Sequence, residues 1–153
     1  MRPNGSVHVL PGLPGGAVPG ESLSAIPRPF RHVLCVYPYR RELNHAGFFP
    51  PLGLELIATV LRPRARAMDL VDLRMTPMHT EGFLRPETDL VCFSVNWAVE
   101  DEFVQAEIRS VPPDVWTIIG GRHATEDPRP WLALRRERHI VVRGDGEEAV
   151  GEI

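Results

Sequence analysis

From Arg31 onward the chain alternates short, nearly continuous apolar runs with stretches of helical periodicity. That is the pattern of strands covered on both faces and joined by crossover helices. The first run is His32-Val33-Leu34-Cys35-Val36-Tyr37, ended by Pro38. A loop from Tyr39 to Pro51 follows, longer than the roughly 2 to 6 residues usual for a strand-to-helix link, and loops of that kind tend to carry function. Leu52, Leu54, Leu56, Ile57, Val60 and Leu61 then fall on one helical face up to Pro63, with Pro51 suited to a first helical turn. Ala67 to Leu73 reads as a second strand. The segment Arg74 to Glu87 has two prolines and no clear face, so at most a short helix is expected there.

Asp89-Leu90-Val91-Cys92-Phe93-Ser94-Val95 is a third strand, and Asn96 to Glu102 leads into a helix through about Ser110, with acidic residues in its first turn where the helix end is positive. Pro112-Pro113-Asp114 breaks it. Val115 to Ile119 is a fourth strand, which stops at Gly120 and Gly121 and passes into a polar loop, Arg122-His123-Ala124-Thr125. Trp131, Leu132 and Leu134 suggest a short helix begun by Pro128 or Pro130. His139 to Val142 is a fifth strand, followed by Arg143-Gly144-Asp145-Gly146-Glu147 and the start of another helix. Such β/α alternation predicts a flavodoxin-like (Rossmann-type) three-layer α/β fold with a five-stranded parallel sheet in the order 2-1-3-4-5. All the unusual sequence then lands on one edge, beyond the carboxyl ends of the strands, where open α/β sheets bind ligands.

Composition narrows the function. The 153 residues are 43% hydrophobic and 24% charged, which fits one soluble globular domain. Residues 1–29 are so dense in Pro and Gly that a disordered leader is expected there, with the folded domain at 30–153. A net charge of -3 argues against a general nucleic-acid binder. There is neither a signal peptide nor an apolar run of the ~20 residues that span a bilayer, which predicts a cytoplasmic protein without a membrane partner. Cys35 and Cys92 both sit inside apolar runs, where buried thiols are expected. The six histidines show no metal-ligand spacing.

The paired glycines let the backbone turn sharply and approach a ligand closely. Together with Phe49-Pro50-Pro51-Leu52-Gly53-Leu54, Asp69-Leu70-Val71-Asp72, Asp89-Leu90-Val91 to Ser94, Ile119 to Thr125 and Val142-Arg143-Gly144-Asp145-Gly146-Glu147-Glu148, they carry a resemblance. From about Arg31 to Ile153 the chain resembles the amino-terminal cobalamin-binding domains of B12-dependent radical SAM proteins. The resemblance implies that the nucleotide tail of cobalamin passes Ser94 and the Gly120-Gly121 turn, and that the corrin ring rests on the Tyr37 to Gly53 and Asn96-Trp97 loops. Cofactor-binding positions implied in this way are Tyr37, Pro51, Leu52, Gly53, Ser94, Val95, Asn96, Gly120, Gly121, His123, Gly144 and Gly146. His123 is expected to orient its loop or touch the tail. Gly121 is expected to face the ligand, so that Gly121→Val removes corrinoid binding at comparatively little cost to the fold.

Two features depart from the wider pattern. The Asp-x-His-x-x-Gly motif whose histidine ligates cobalt from below is missing after the first strand, and His45 in Asn44-His45-Ala46-Gly47 does not match its spacing. Cobalt is therefore expected to lack a histidine ligand from this chain. The Cys-x-x-x-Cys-x-x-Cys set that holds an iron-sulfur cluster is missing too, so the chain is not expected to catalyse radical chemistry alone. That chemistry, with its iron-sulfur cluster and S-adenosylmethionine, would belong to a radical SAM catalytic domain acting in cis or in trans. The chain then reads either as truncated before such a domain or as a stand-alone corrinoid carrier. A nicotinamide site fails, since Tyr37-Pro38-Tyr39-Arg40 is unlike the glycine fingerprint required after the first strand. A receiver-type signalling module lacks its acidic pair and its lysine, which leaves a Rossmann-like small-molecule or signalling module without cobalamin as the alternative.

Overall fold

The computed structural model describes residues 29–40 and 49–153. The proposed leader, apart from Pro29, and the His45 segment lie outside the described residues. Strands β1 (Phe30–Tyr37), β2 (Ala65–Asp72), β3 (Thr88–Ser94), β4 (Trp116–Gly120) and β5 (His139–Val141) form one sheet, parallel throughout, in the order β2-β1-β3-β4-β5. This is the topology expected from the alternation. The central strand β3 is buried along its whole length, and β1 nearly so, which is why both read as continuous apolar runs. Edge strand β2 is half exposed.

Among the described residues five α-helices complete the layers: α1 (Leu52–Leu61), α2 (Asp101–Arg109), α3 (Arg122–Glu126), α4 (Arg129–Leu132) and α5 (Gly146–Glu152). Helices α1 and α5 pack on one another. They cover the sheet face that carries Cys92, Ser94, Ile118 and Gly120, alternate residues that the pleat turns to one side. Cys35, Cys92, Ile118 and Ile140 occupy one row across four strands. The two thiols are free and buried. A hydrogen bond to Cys35, together with burial, pushes the Cys92 thiol well above its ordinary pKa, so it stands in that face as a neutral, apolar group.

Between β2 and β3 the chain makes two 3-10 turns, Leu73–Met75 and Thr80–Phe83, in place of a full helix. Arg40 holds this connection by donating to the carbonyls of Leu73, Thr76 and Met78. Glu107 of α2 clasps it from the other side, accepting from the Thr80 backbone N–H at 2.7 Å and from His79. Burial alone would raise the Glu107 carboxyl; those two donors outweigh it and leave the group below its usual value. No helix among the described residues is long and apolar enough to cross a membrane.

The opposite face closes around Trp131. His139 Nε2 donates to the Trp131 carbonyl at 2.8 Å, and Nδ1 lies 2.6 Å from the Thr117 hydroxyl. Burial pushes His139 from 6.5 down to about 4 against the bond to Trp131, with the Arg135 charge adding to the fall. A folded-state pKa below the unfolded one means that the unfolded chain takes up the proton first. Stability is therefore complete above pH 6.5 and declines as pH falls toward about 4, by on the order of 3 kcal/mol at 1.36 kcal/mol per unit. In urea denaturation, His139→Gln should flatten the pH dependence over that interval relative to the wild type. Parallel curves for the two proteins would refute the assignment.

Candidate functional site

A slot of about 180 Å³ opens at the carboxyl edge of the sheet, between β3, β4 and the end of β5 on one side and α1 and α5 on the other. Its floor is Cys92, Ser94, Ile118, Gly120 and Val142, and its roof is Gly53, Leu54 and Ile57 of α1 with Gly146 and Val150 of α5. Most of the lining is apolar, and Ser94, Asn96, Asp145 and Glu147 supply its polar side chains, which is the usual make-up of a small-molecule site. Of the expected positions, the structure brings Gly53, Ser94, Asn96, Gly120, Gly121, Gly144 and Gly146 together around this slot.

The two central glycines play different parts. A Cβ built on Gly120 would find Val142 Cβ, at 4.0 Å, as its nearest neighbour. The space beside it is open. Gly121 has φ +108, and a Cβ there would lie 2.5 Å from the Val95 carbonyl oxygen and 2.6 Å from Asn96 Oδ1. That side of Gly121 faces the protein's own backbone. The expectation that a Gly121 side chain would compete with a ligand at little cost to the fold is therefore corrected, because the β3–β4 edge already fills the place such a side chain would take.

Asn96 organises the polar end. Its Oδ1 accepts from the Arg122 backbone N–H at 3.1 Å, and its Nδ2 donates to Ser94 Oγ at 2.9 Å. The Val95 carbonyl accepts from the His123 and Ala124 N–H groups. The end of β3 thereby caps α3, and residues 122–126 form a short helix where the sequence predicted a polar loop. A helix start must find partners for its free N–H groups; here they come from a neighbouring strand, so no local capping signal marks them.

The backbone at Asn96 is fixed by Tyr39. This buried side chain accepts at its hydroxyl from the Asn96 and Trp97 N–H groups, at 2.9 and 2.8 Å, and donates to the Trp97 carbonyl. Burial pushes the phenol up to about 12, so it remains a neutral donor. Leu54, Ile57, Cys92 and Val150 read in the sequence as ordinary core, and Tyr39 as one residue of the long loop after the first strand, so none of them stands out there as a binding position.

The remaining expected positions lie outside the slot. Tyr37 stands on the carboxyl edge, where its hydroxyl accepts from Trp97 Nε1 at 3.1 Å and the Arg74 guanidinium lies 4.6 Å over its ring. Pro51 and Leu52 begin α1 at the mouth, with Leu52 65% exposed. Val95 is buried and acts through its backbone. His123 Nε2 sits 3.2 Å from Asp101 Oδ2, with its ring edge-on to Trp131, so it ties α3 to α2 and α4. A larger hollow of about 550 Å³ lies over Arg40, Arg74 and the 3-10 turns. Its cations are already engaged, Arg40 by carbonyls and Arg74 by Asp72 and Phe49, so the slot is the better binding site. Among the described residues no cluster of three or more His, Cys, Asp or Glu side chains could hold a metal ion.

Comparison with known proteins bears on the same elements. The model of the B12 binding domain matches residues 43–153. Hopanoid C-3 methylase of Methylococcus capsulatus is similar as well, 31% identical over 125 residues, which cover 75% of this chain and 24% of the methylase. The chain thus spans about a quarter of the length of that relative. No solved structure matches. Since the matched region runs from the loop before α1 through α5 and includes every element that walls the slot, the chain belongs to the B12 binding domain family.

Proposed function

We propose that this chain binds cobalamin with the nucleotide tail in the slot between β3–β5 and the α1/α5 pair, and with the corrin ring over the carboxyl edge. The observation that carries this reading is the open space beside Gly120 and Gly53, lined mostly by apolar side chains with Ser94, Asn96, Asp145 and Glu147 as its polar groups. A flat, bicyclic base needs such a cleft, in which neither glycine places a side chain. The edge above it presents exposed apolar surface suited to a macrocycle, at Phe49 (54% exposed), Leu52 and Trp97 (47%). Bound there, cobalamin supplies a cobalt centre able to carry and hand on a one-carbon group. Ser94, Asn96 and the glycines hold the tail, while Tyr37 and Trp97 support the ring. By its likeness to a methylase the domain would serve a catalytic partner, which we take to be a radical SAM domain in cis or in trans.

Purified protein mixed with hydroxocobalamin and desalted should retain the corrinoid, with the absorbance of a base-off form and no histidine below the cobalt. Cobinamide, which lacks the nucleotide tail, should wash away. His45→Ala should leave the bound spectrum unchanged. Loss of cobalamin on desalting would overturn the reading, equal retention of cobinamide would remove the tail from the slot, and a spectrum showing loss of imidazole in the variant would make His45 the ligand.

A further inference from the structure

We propose that Asn96 is a positioning residue that sets the polarity of Ser94, making it a hydrogen-bond donor into the slot and selecting corrinoids whose lower base carries an unprotonated ring nitrogen over those with a phenolic base. The inference rests on cobalamin binding in the slot and adds the chemical class of base that the slot accepts. It begins with an amide whose orientation is determined. The Arg122 backbone N–H can only donate, so the Asn96 atom it meets at 3.1 Å is the oxygen, and the atom 2.9 Å from Ser94 Oγ is the NH2 group. The backbone on either side is fixed as well, because the Tyr39 hydroxyl takes the Asn96 and Trp97 N–H groups and Gly121 packs against Asn96 Oδ1.

Asn96 therefore donates to Ser94, and a hydroxyl that accepts from one side keeps its own proton for another. Ser94 is only 8% exposed, and Asn96 is its one side-chain hydrogen-bond partner among the described residues. Cys92 along the strand and Gly120 across it offer no strong side-chain acceptor, and Ser94 makes no hydrogen bond to the Asp145 or Glu147 carboxylate, which also line the slot. The remaining proton points to whatever fills the slot. A base with an in-plane lone pair on nitrogen satisfies it, whereas a phenolic base leaves a buried donor without a partner, which costs more than an ordinary hydrogen bond is worth.

The test reverses the polarity without changing the shape. In Asn96→Asp a carboxylate accepts from the Arg122 N–H as before, but it also accepts from Ser94, which then turns a lone pair toward the slot. Affinity for cobalamin should fall by roughly 10- to 100-fold, the cost of setting acceptor against acceptor in a buried site. Affinity for the cobamide whose lower base is p-cresol should change far less, and this comparison controls for the added charge. Ser94→Ala should weaken cobalamin, and adding Asn96→Asp to it should cost little more, since Asn96 acts through the hydroxyl already removed. Thermal melting of each variant confirms that the compared proteins are folded. Equal losses for both cobamides, or full additivity of the two substitutions, would overturn the role of Asn96 while leaving cobalamin binding intact. Failure of the wild type to retain cobalamin would instead overturn the function on which this inference rests.

Discussion

Gly120→Leu should abolish cobalamin retention, with a loss of at least about a hundredfold in affinity, a little under 3 kcal/mol or more, and should leave the folded protein near wild-type stability. Gly120 ends β4 in register with Ser94. Its backbone is not in the left-handed region, and a Cβ there meets its nearest neighbour, Val142 Cβ, at an ordinary contact distance of 4.0 Å. The first carbon of the new side chain fits. The rest has nowhere to go but the slot, whose volume of about 180 Å³ it would largely occupy. In the free protein that side chain lies against Cys92, Ile118 and Val142 and buries apolar surface, which offsets the entropy of fixing it. The ligand meets a filled site. Cobalamin titration and thermal melting on the same preparation provide the check, and normal binding by a folded variant would exclude the face beside Gly120 as the place of the tail.

The neighbouring residue should behave in the opposite way. Gly121→Val is expected to destabilise the fold by about 4 kcal/mol, from about 1–3 kcal/mol for a β-branched residue at positive φ and a similar amount for overpacking against fixed atoms. The clash is with backbone, the Val95 carbonyl at 2.5 Å, and that carbonyl also accepts from the first N–H groups of α3. Relieving it means moving the end of β3 or undoing the start of α3. A loss of that size is a large part of the roughly 5–15 kcal/mol by which domains are stable. Chemical denaturation measures it, and a melting temperature within a few degrees of wild type would show that the edge yields more easily than the geometry implies. Side by side, the two glycine variants separate a residue that leaves room for a ligand from one that leaves room for the chain.

Much of the architecture was legible because each central strand is buried on both faces and so reads as an unbroken apolar run. Val33 to Tyr37 within β1 and Leu90 to Phe93 within β3 are the clearest cases. The register of unusual residues at strand ends was legible for the same reason, and it placed Ser94, Asn96 and Gly120 beside one another. What the sequence hid is tertiary. Helix α3 carries no cap of its own, since its caps are Val95 and Asn96 across the sheet edge. Tyr39 resembles any loop aromatic until its hydroxyl is seen to hold two N–H groups nearly sixty positions away. His123 follows the glycine turn by two residues, yet the turn sends it toward Asp101 and Trp131 rather than into the slot. One-dimensional spacing cannot tell which side of a sheet a residue takes after a reversal. The roof residue Val150 was missed because an amphipathic helix gives no sign of what its apolar face will cover.

That roof has a bearing on how the site comes into being as the chain is made. Residues 53–57 of α1 emerge early, the floor at Ser94 and Gly120 later, and the α5 residues Gly146 and Val150 last of all. Through its early synthesis the growing polypeptide has half a roof and no floor, and then a floor open along one side. Only when α5 settles on α1, where Arg64 of the following turn donates to the Val150 carbonyl at 3.1 Å, does the cleft acquire its second wall. The cleft is thus complete only once α5 has folded onto α1, and a ligand that needs both walls binds after that step.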